Sequence, residues 1–421
     1  MLQPERYSTD EIRKIQRACC HVFLSDKALH SVVVSDNNRR RLSYPFLERL
    51  TFEDVRRAYR TNVLTYHPDR HQDRQPEEIE FFARHLEGVN RSYEYLCTFF
   101  GENKTSSMQE YKDRVRIIAV GGAKGGIGKS IFAANLGMML AAHGFRTVMV
   151  DLDLGGSDLH IYLGHRVIPK TTLNDYLNRK VAHVNDVAIK QGQGPLLIAG
   201  NNGELGAANI PFQKKIRLIE GIRKMNADYV ILDLGGGTDF NTLDFFLAAD
   251  LPIVLTTLDQ PAYLEAYAFI KTALQRKLNR LFSADSSFSA KRNTTLKDIV
   301  FEGTRAPEEN RPRIIQDLLE RVADEHPLSL PLIAEEVLNF SPCLVINQCF
   351  DDRAALRVAG TLKSVARQRL SIDINHIGSI SRHPVIEQST SYVHHPLVTR
   401  QRSAKFAGEI ESIIETLSLA G

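Results

Sequence analysis

The run Gly121-Gly-Ala-Lys-Gly-Gly-Ile-Gly-Lys-Ser130 has the residue types needed to hold a chain of phosphates. Glycines let the backbone curl so that successive N–H groups converge on phosphate oxygens. Lys129 supplies a charge that reaches the β- and γ-phosphates, and the Ser130 hydroxyl is a ligand for Mg²⁺. The usual pattern for such a loop begins with glycine, and Ala123 stands at that position. Two acid groups complete the set. Asp151-Leu-Asp153 closes one apolar run, and Asp233 closes another, Tyr229-Val-Ile-Leu-Asp233, with Gly235, Gly236 and Gly237 after it. An aspartate so placed holds a water on Mg²⁺, and a glycine N–H, here that of Gly237, senses the terminal phosphate. Cys343 and Cys349 are the one cysteine pair spaced for metal ligation, and no Cys-x-x-Cys occurs.

These groups need rigid elements beneath them. Val115–Val120 reads as a buried strand entering the loop, and Ser130–His143 as the helix leaving it, whose N-terminus adds a positive dipole end. Thr147–Leu152, Tyr229–Leu234 and Pro252–Thr257 read as further strands, as do Leu344–Asn347 and His376–Ser379. Strands alternating with helices predict an α/β fold, a mostly parallel sheet with helices on both faces. Its acids then lie at strand C-termini, where open α/β sheets bind ligands. Arg276–Phe340 breaks the alternation with polar sequence over Ser283–Thr295, prolines 307, 312, 327 and 331, and one helical stretch, Ile314–Val322. It reads as an insertion. Ala404–Leu417 is amphipathic, with Phe406, Ile410, Ile413, Ile414 and Leu417 apolar. Its acids Glu409, Glu411 and Glu415 oppose anionic lipid, so it is expected to pack as the last helix of the domain.

Before the sheet lies helical sequence. Phe52–Tyr66 and Ile79–Leu96 carry apolar residues at helical spacing, and Asp10–Phe23 has Ile12, Ile15, Cys19 and Val22 on one face. Tyr66-His67-Pro68-Asp69-Arg70 joins the first two, and Pro68 stops the helix before it. Gly101–Glu110 is small and polar. The expected organisation is a small all-α module over 1–104, a linker over 105–113, and the α/β domain over 114–421 with its insertion at about 276–340.

Composition narrows the classes. The chain has 421 residues, 43% apolar and 24% charged, which excludes a mainly disordered or collagen-like chain. Its longest apolar stretches, such as Ile131–Ala142, fall short of a membrane span. Five cysteines, an odd number, predict no disulfide framework and a reducing, cytoplasmic setting. A net charge of +3 names no partner. Arg353–Lys405 is locally basic, with nine Lys/Arg against Asp373 and Glu387. A nucleic-acid contact there would be salt-dependent, and a solvated helix face is the plainer reading.

Lys124-Gly-Gly-Ile-Gly-Lys-Ser130 resembles the deviant Walker A motif of the ParA/MinD ATPases, P-loop proteins of the SIMIBI type. The resemblance covers most of Val115–Leu417. Asp151-Leu-Asp-Leu-Gly-Gly-Ser-Asp-Leu159 matches the family's acidic segment, and Pro261–Lys271 and Ile377-Gly-Ser-Ile-Ser are most similar to its FlhG branch. The resemblance implies ATP and Mg²⁺ bound by Gly125, Gly126, Ile127, Gly128, Lys129, Ser130 and Ile131, with Asp151 and Asp233 supporting the metal. It implies that Asn347 contacts the base and that Asp153 orients or activates the attacking water. Lys124 would cross to a partner's nucleotide, so that two subunits enclose two ATP molecules and hydrolysis times the dimer. The implied function is an ATP-dependent dimerising switch that positions or regulates a cellular machine, slow without an activator. It would be cytoplasmic, or recruited to a pole or membrane-associated machine through partners. The insertion suggests an unidentified protein partner, and the acidic last helix does not suit a MinD-type membrane anchor. The sequence departs from the family in Leu234-Gly-Gly-Gly237, where a Pro-Ala-Gly type is usual, and in the insertion itself.

Arg56-Arg-Ala-Tyr-Arg60, the His67-Pro68-Asp69 loop and the helix ending Tyr93-Glu-Tyr-Leu96 resemble a J domain. That family docks its basic helix and His-Pro-Asp loop on Hsp70, which implies contacts from Arg56, Arg57, Arg60, His67, Pro68 and Asp69. A co-chaperone whose ATPase domain chooses the client is therefore the alternative function, and a J-like docking module without Hsp70 is another. A metal-cluster carrier ranks lower for want of cysteine pairs, and a metabolic P-loop enzyme is disfavoured by Lys124.

Overall fold

The computed structural model describes residues 50–66, 76–100 and 405–419, parts of 11–23, and 115–383 apart from 154–155, 166–168, 191–193, 201–209, 284–285, 287, 306–313 and 327–328. Helices α1 (Phe52–Tyr66) and α2 (Pro76–Phe99) come first. The alternating part follows: β1 (Arg116–Gly121), α3 (Lys129–Ala142), β2 (Thr147–Leu152), α4 (Leu159–Tyr162), α5 (Leu173–Leu177), β3 (Ala188–Lys190), β4 (Leu196–Ile198), α6 (Phe212–Arg223), β5 (Tyr229–Leu234), α7 (Phe240–Ala248), β6 (Leu251–Thr256) and α8 (Gln260–Arg280). Then come α9 (Thr294–Arg305), α10 (Ile314–Glu325), α11 (Leu330–Leu338), β7 (Cys343–Cys349), α12 (Asp352–Val365), β8 (Asn375–Ser381) and α13 (Lys405–Leu419). No described helix is long and apolar enough to cross a membrane.

The expected α/β architecture is present. Eight strands form one sheet in the order β3-β4-β2-β5-β1-β6-β7-β8, parallel throughout except for the antiparallel β3–β4 pair. Near-continuous apolar strands such as β1 and β5 suit a sheet covered on both faces. Register sets the chemistry at one edge: Val120 pairs with Asp233 across β1–β5, and Asp151 with Asp233 across β2–β5. The start of β1 is held by Asp250, which accepts from the Ile117 N–H at 2.9 Å and from Arg223 at 3.1 Å.

Contacts divide the chain into two compact units. The first contains Ser107–Ala273, Pro342–Lys363 and Ile374–Gly421, and is built on the sheet. One buried cluster in it joins Phe132, Leu136 and Leu140 of α3, Met149, Ile231 and Val345 of the sheet, and Phe406, Ile410, Ile413, Ile414 and Leu417 of α13. Helix α13 thus buries its apolar stripe as a layer of the core. Each such side chain contributes about 1.5–3 kcal/mol on burial.

The second unit joins Met1–Ser106 to Leu274–Ser341 and Ser364–Asp373. Helix α1 opens on a reciprocal cap. Thr51 Oγ1 donates to Asp54 Oδ2 at 2.5 Å, and the Asp54 N–H donates to Thr51 Oγ1 at 3.2 Å. Ile15, Cys19, Val22, Val55, Ala58 and Leu96 form its core, with Tyr59 and Tyr93 stacked at 3.9 Å between centroids. Asn62 lies inside this core and donates to the Val22 carbonyl at 2.7 Å, pinning the first helical segment to α1. The predicted insertion begins inside α8 and, among the described residues, carries the α-helices α9 to α11. Leu338 of α11 packs on the N-terminal core, and the turn Ser289–Arg292 meets α2. The inserted segment therefore shares a unit with the N-terminal helices, whereas the sequence alone placed it in the α/β domain.

Candidate phosphate-binding site

The loop between β1 and α3 curls as its glycines allow. Gly128 has φ +90°, and a Cβ there would lie 2.6 Å from Asn347 Nδ2, so both torsion and space demand glycine. Gly125 and Gly126 are exposed and Ile127 is buried beneath them. Ile131 is half-buried in the first turn of α3. Lys129 is buried, and its ammonium donates to the Lys124 carbonyl at 3.0 Å. Burial lowers the Lys129 pKa, against the opposing pull of Asp233 and Asp153. The Lys124 side chain is half-buried and forms no ion pair among the described residues.

Asp233 is 1% exposed and accepts a hydrogen bond from Ser130. Burial pushes its carboxyl up to about 7, aided by Asp153 and opposed by Ser130 and Lys129. Its Oδ1 has no hydrogen-bond partner among the described residues. Asp151 is fully buried, and burial, then the charge of Asp233, raises its pKa well above the carboxylate range. Both Asp151 oxygens accept main-chain N–H groups, from Asp153 at 3.2 Å and from Leu159 at 3.3 Å. Asp151 thus braces the turn that carries Asp153.

The glycines after β5 bring that segment against the loop. A Cβ on Gly236 would lie 3.5 Å from Lys129 Nζ, and one on Gly235 would lie 3.1 Å from Asp153 Oδ1. Gly237 has φ +114°. Asp239 then caps α7, accepting from Asn241 N at 2.9 Å and Thr242 N at 3.1 Å. The glycine run thus makes close approach possible on both sides, where sequence reading had seen a sensor of the terminal phosphate and a departure from the usual pattern.

Asn347, in the second half of β7, donates its amide to the Ile127 carbonyl at 2.8 Å and so buttresses the loop. The structure brings together Lys129, Ser130, Asp151, Asp153, Asp233 and Asn347. It places Arg56, Arg57 and Arg60 exposed on α1 of the other unit, while His67, Pro68 and Asp69 lie outside the described residues. Cys343 and Cys349 are buried free thiols. Sequence reading missed Ser381, His383 and Phe406 as residues that line a cavity beside Gly128. The one signal was the apolar period of Ala404–Leu417.

A parallel sheet whose first strand runs into a lysine-serine glycine loop, with aspartates ending the neighbouring strands, defines a P-loop nucleotide-binding protein. The family model for the CobQ/CobB/MinD/ParA nucleotide binding domain matches residues 118–391, more than half of the chain, and the chain belongs to that family. The antiactivator FleN of Pseudomonas aeruginosa is 30% identical over 160 residues, 37% of this chain and 56% of FleN. The flagellum site-determining protein YlxH of Helicobacter pylori is 29% identical over 192 residues, 45% of this chain and 64% of YlxH. The chain thus spans less than two thirds of either relative. The crystal structure of the cell division ATPase MinD of Pyrococcus furiosus aligns with 73% of this chain and 99% of MinD, at a TM-score of 0.47 and 17% identity.

Proposed function

We propose that the protein is an ATP-dependent dimerising switch that positions or regulates a cellular machine. The observation that carries this reading is Asp233: buried, tied to Ser130, beside Lys129, with one carboxylate oxygen that has no hydrogen-bond partner among the described residues. Leaving such an oxygen unpaired costs about 1–3 kcal/mol, which suits a site completed by a cation or its water. Ser130 and Asp233 are the residues to hold Mg²⁺, which when bound neutralises charge on the terminal phosphates. The residue set therefore fits Mg-ATP.

Within this reading Gly125–Ile131 offers main-chain N–H groups to the phosphates, and Lys129 balances their charge. Asp153, held by the Asp151 brace, orients the attacking water, and the Gly237 N–H faces the terminal phosphate. The Asn347 amide oxygen, its NH₂ engaged with Ile127, is an acceptor for the base. Among the described residues Lys124 has no carboxylate partner, which supports a role across a subunit boundary, where its charge stabilises the transition state only after pairing. Phe240, Leu264 and Phe350 are 66%, 53% and 81% exposed and follow β5, β6 and β7, an apolar fringe on the loop's side of the sheet. The printed names of the relatives, an antiactivator and a flagellum site-determining protein, support a regulatory or positioning role. The same reading puts the protein in the cytoplasm, recruited to its machine through partners.

Light scattering of the Asp153→Ala protein tests this. The substitution is expected to block hydrolysis, giving a monomer mass with Mg-ADP and twice that mass with Mg-ATP. Equal masses would overturn the dimer switch.

A further inference from the structure

We propose that the inserted segment is an internal docking surface whose partner is the chain's own helix α2. Both belong to one compact unit. Helix α2 carries two stripes. Leu86, Val89, Tyr93 and Leu96 lie at steps of three and four, and Tyr93 and Leu96 join the N-terminal core. Gly88, Ser92, Tyr95 and Phe99 form a second stripe beside the first, at steps of four, three and four. On a helix with one packed face this second stripe would meet water, yet Ser92 is 8% exposed. Gly88 stands inside the helix, where glycine weakens it. Helix α11 accounts for it: a Cβ on Gly88 would lie 3.9 Å from Glu335 Oε1. Leu338, three residues further along α11, packs on the same core as Tyr95 and Phe99.

The insertion is built to present that face. Ile333, Ala334 and Val337 of α11 are buried, and Glu336 pairs with Lys277 of α8. These contacts hold α11 from behind and leave Glu335 and Leu338, neighbours on the helix surface, for α2. A second element, the turn Ser289–Arg292, also meets α2. It is fixed by the Lys291 N–H, which donates to the Phe288 carbonyl at 3.0 Å, and by the Lys291 ammonium, which donates to the Ser286 carbonyl at 2.6 Å. Phe288 is buried edge to face against Phe282, at 5.4 Å and 88°. A turn and a helix face, each braced within the insertion, therefore cover one side of α2. Small helical modules bury a low share of their surface, and a second layer over α2 extends the N-terminal core. The partner expected for the insertion is then the chain itself.

Hydrogen exchange of the full chain, read by mass spectrometry over residues 86–100, tests the dock. Leu338→Lys puts a charge where α11 meets the N-terminal core. It is expected to speed exchange over 86–100 about tenfold and to leave β1 and β5 unchanged. Unchanged exchange over 86–100 overturns the proposal. An equal increase in β1 and β5 also overturns it, because Leu338 then serves the whole chain and not this contact. Should Leu338→Lys fail to fold, Gly88→Leu decides by its sign. Leucine favours a helix over glycine, so on a free face it slows exchange. Against Glu335 its outer carbons lack room, and exchange over 86–100 is expected to rise about threefold. Equal or slower exchange overturns the proposal. Diluting the wild-type protein about a hundredfold is expected to leave protection of 86–100 intact. Protection lost on dilution would mean that a second copy's insertion covers α2, which overturns docking within the chain.

Discussion

The sheet unit buries lysine beside aspartate twice, and the two places differ in what they leave unfinished. Lys215 of α6 and Asp244 of α7 are 6% and 2% exposed, 2.5 Å apart, with the Phe240 carbonyl taking a second contact from the lysine at 3.4 Å. That pair is closed. At the glycine loop Lys129 spends its ammonium on the Lys124 carbonyl, and Asp233 keeps an oxygen with no partner among the described residues. That cluster is open. The same two residue types thus mark a structural pin in one place and a candidate binding site in the other. The discriminating fact is whether the protein satisfies the charge itself.

The contrast fails if the closed pair is dispensable. Lys215→Met leaves Asp244 buried without its partner and is expected to cost about 3–5 kcal/mol in a urea titration. Lys215→Met with Asp244→Leu replaces both ends by apolar groups and is expected to recover most of that loss. A single variant as stable as wild type would show that water already reaches the pair.

Neither half of the contrast was equally legible in the sequence. The open cluster announces itself because glycine, lysine and serine must be consecutive to wrap a phosphate, and strand ends must carry the acids. Thr147–Leu152 and Tyr229–Leu234 were readable to the residue as unbroken buried runs, and Phe52–Tyr66 by its helical period. β3 and β4 have three residues each, too few for any period, and went unread. α9 and α11 sit among polar residues and prolines, and short helices of that kind depend on tertiary packing more than on propensity. Lys215 and Asp244 lie in helices the sequence reading did not assign, and nothing local links residues 29 apart. The buttress from Asn347 to Ile127 spans 220 residues and was anticipated only as a base contact. Asp151 was expected at the metal, yet its register beside Asp233 and its two main-chain bonds could be seen only in the fold.

Lys129→Ala tests the open side. Removing a preorganised cation from a phosphate site is expected to weaken Mg-ATP on the order of 10²–10³-fold. Stability without ligand is expected to change little, because burial already works against the charge on Lys129. A large loss of stability with intact nucleotide affinity would place Lys129 with Lys215 as a pin.

Asp233→Asn gives the smallest effect and the most specific one. In the ligand-free protein the carboxylate is buried, raised to about 7 by that burial, and only partly hydrogen-bonded. Asparagine keeps the shape, carries no charge and still accepts from Ser130. The ligand-free variant is expected to be more stable than wild type by about 1 kcal/mol, read from its urea midpoint. The same variant is expected to lose the strengthening of ATP binding by Mg²⁺, because the oxygen left open in the wild type is the one a cation completes. Both changes must appear together. Stabilisation with full Mg²⁺ dependence would move the cation elsewhere, and loss of Mg²⁺ dependence with loss of stability would make Asp233 a structural residue after all. A buried acid that weakens the empty protein and strengthens the loaded one is the signature that separates the open cluster from the closed pair.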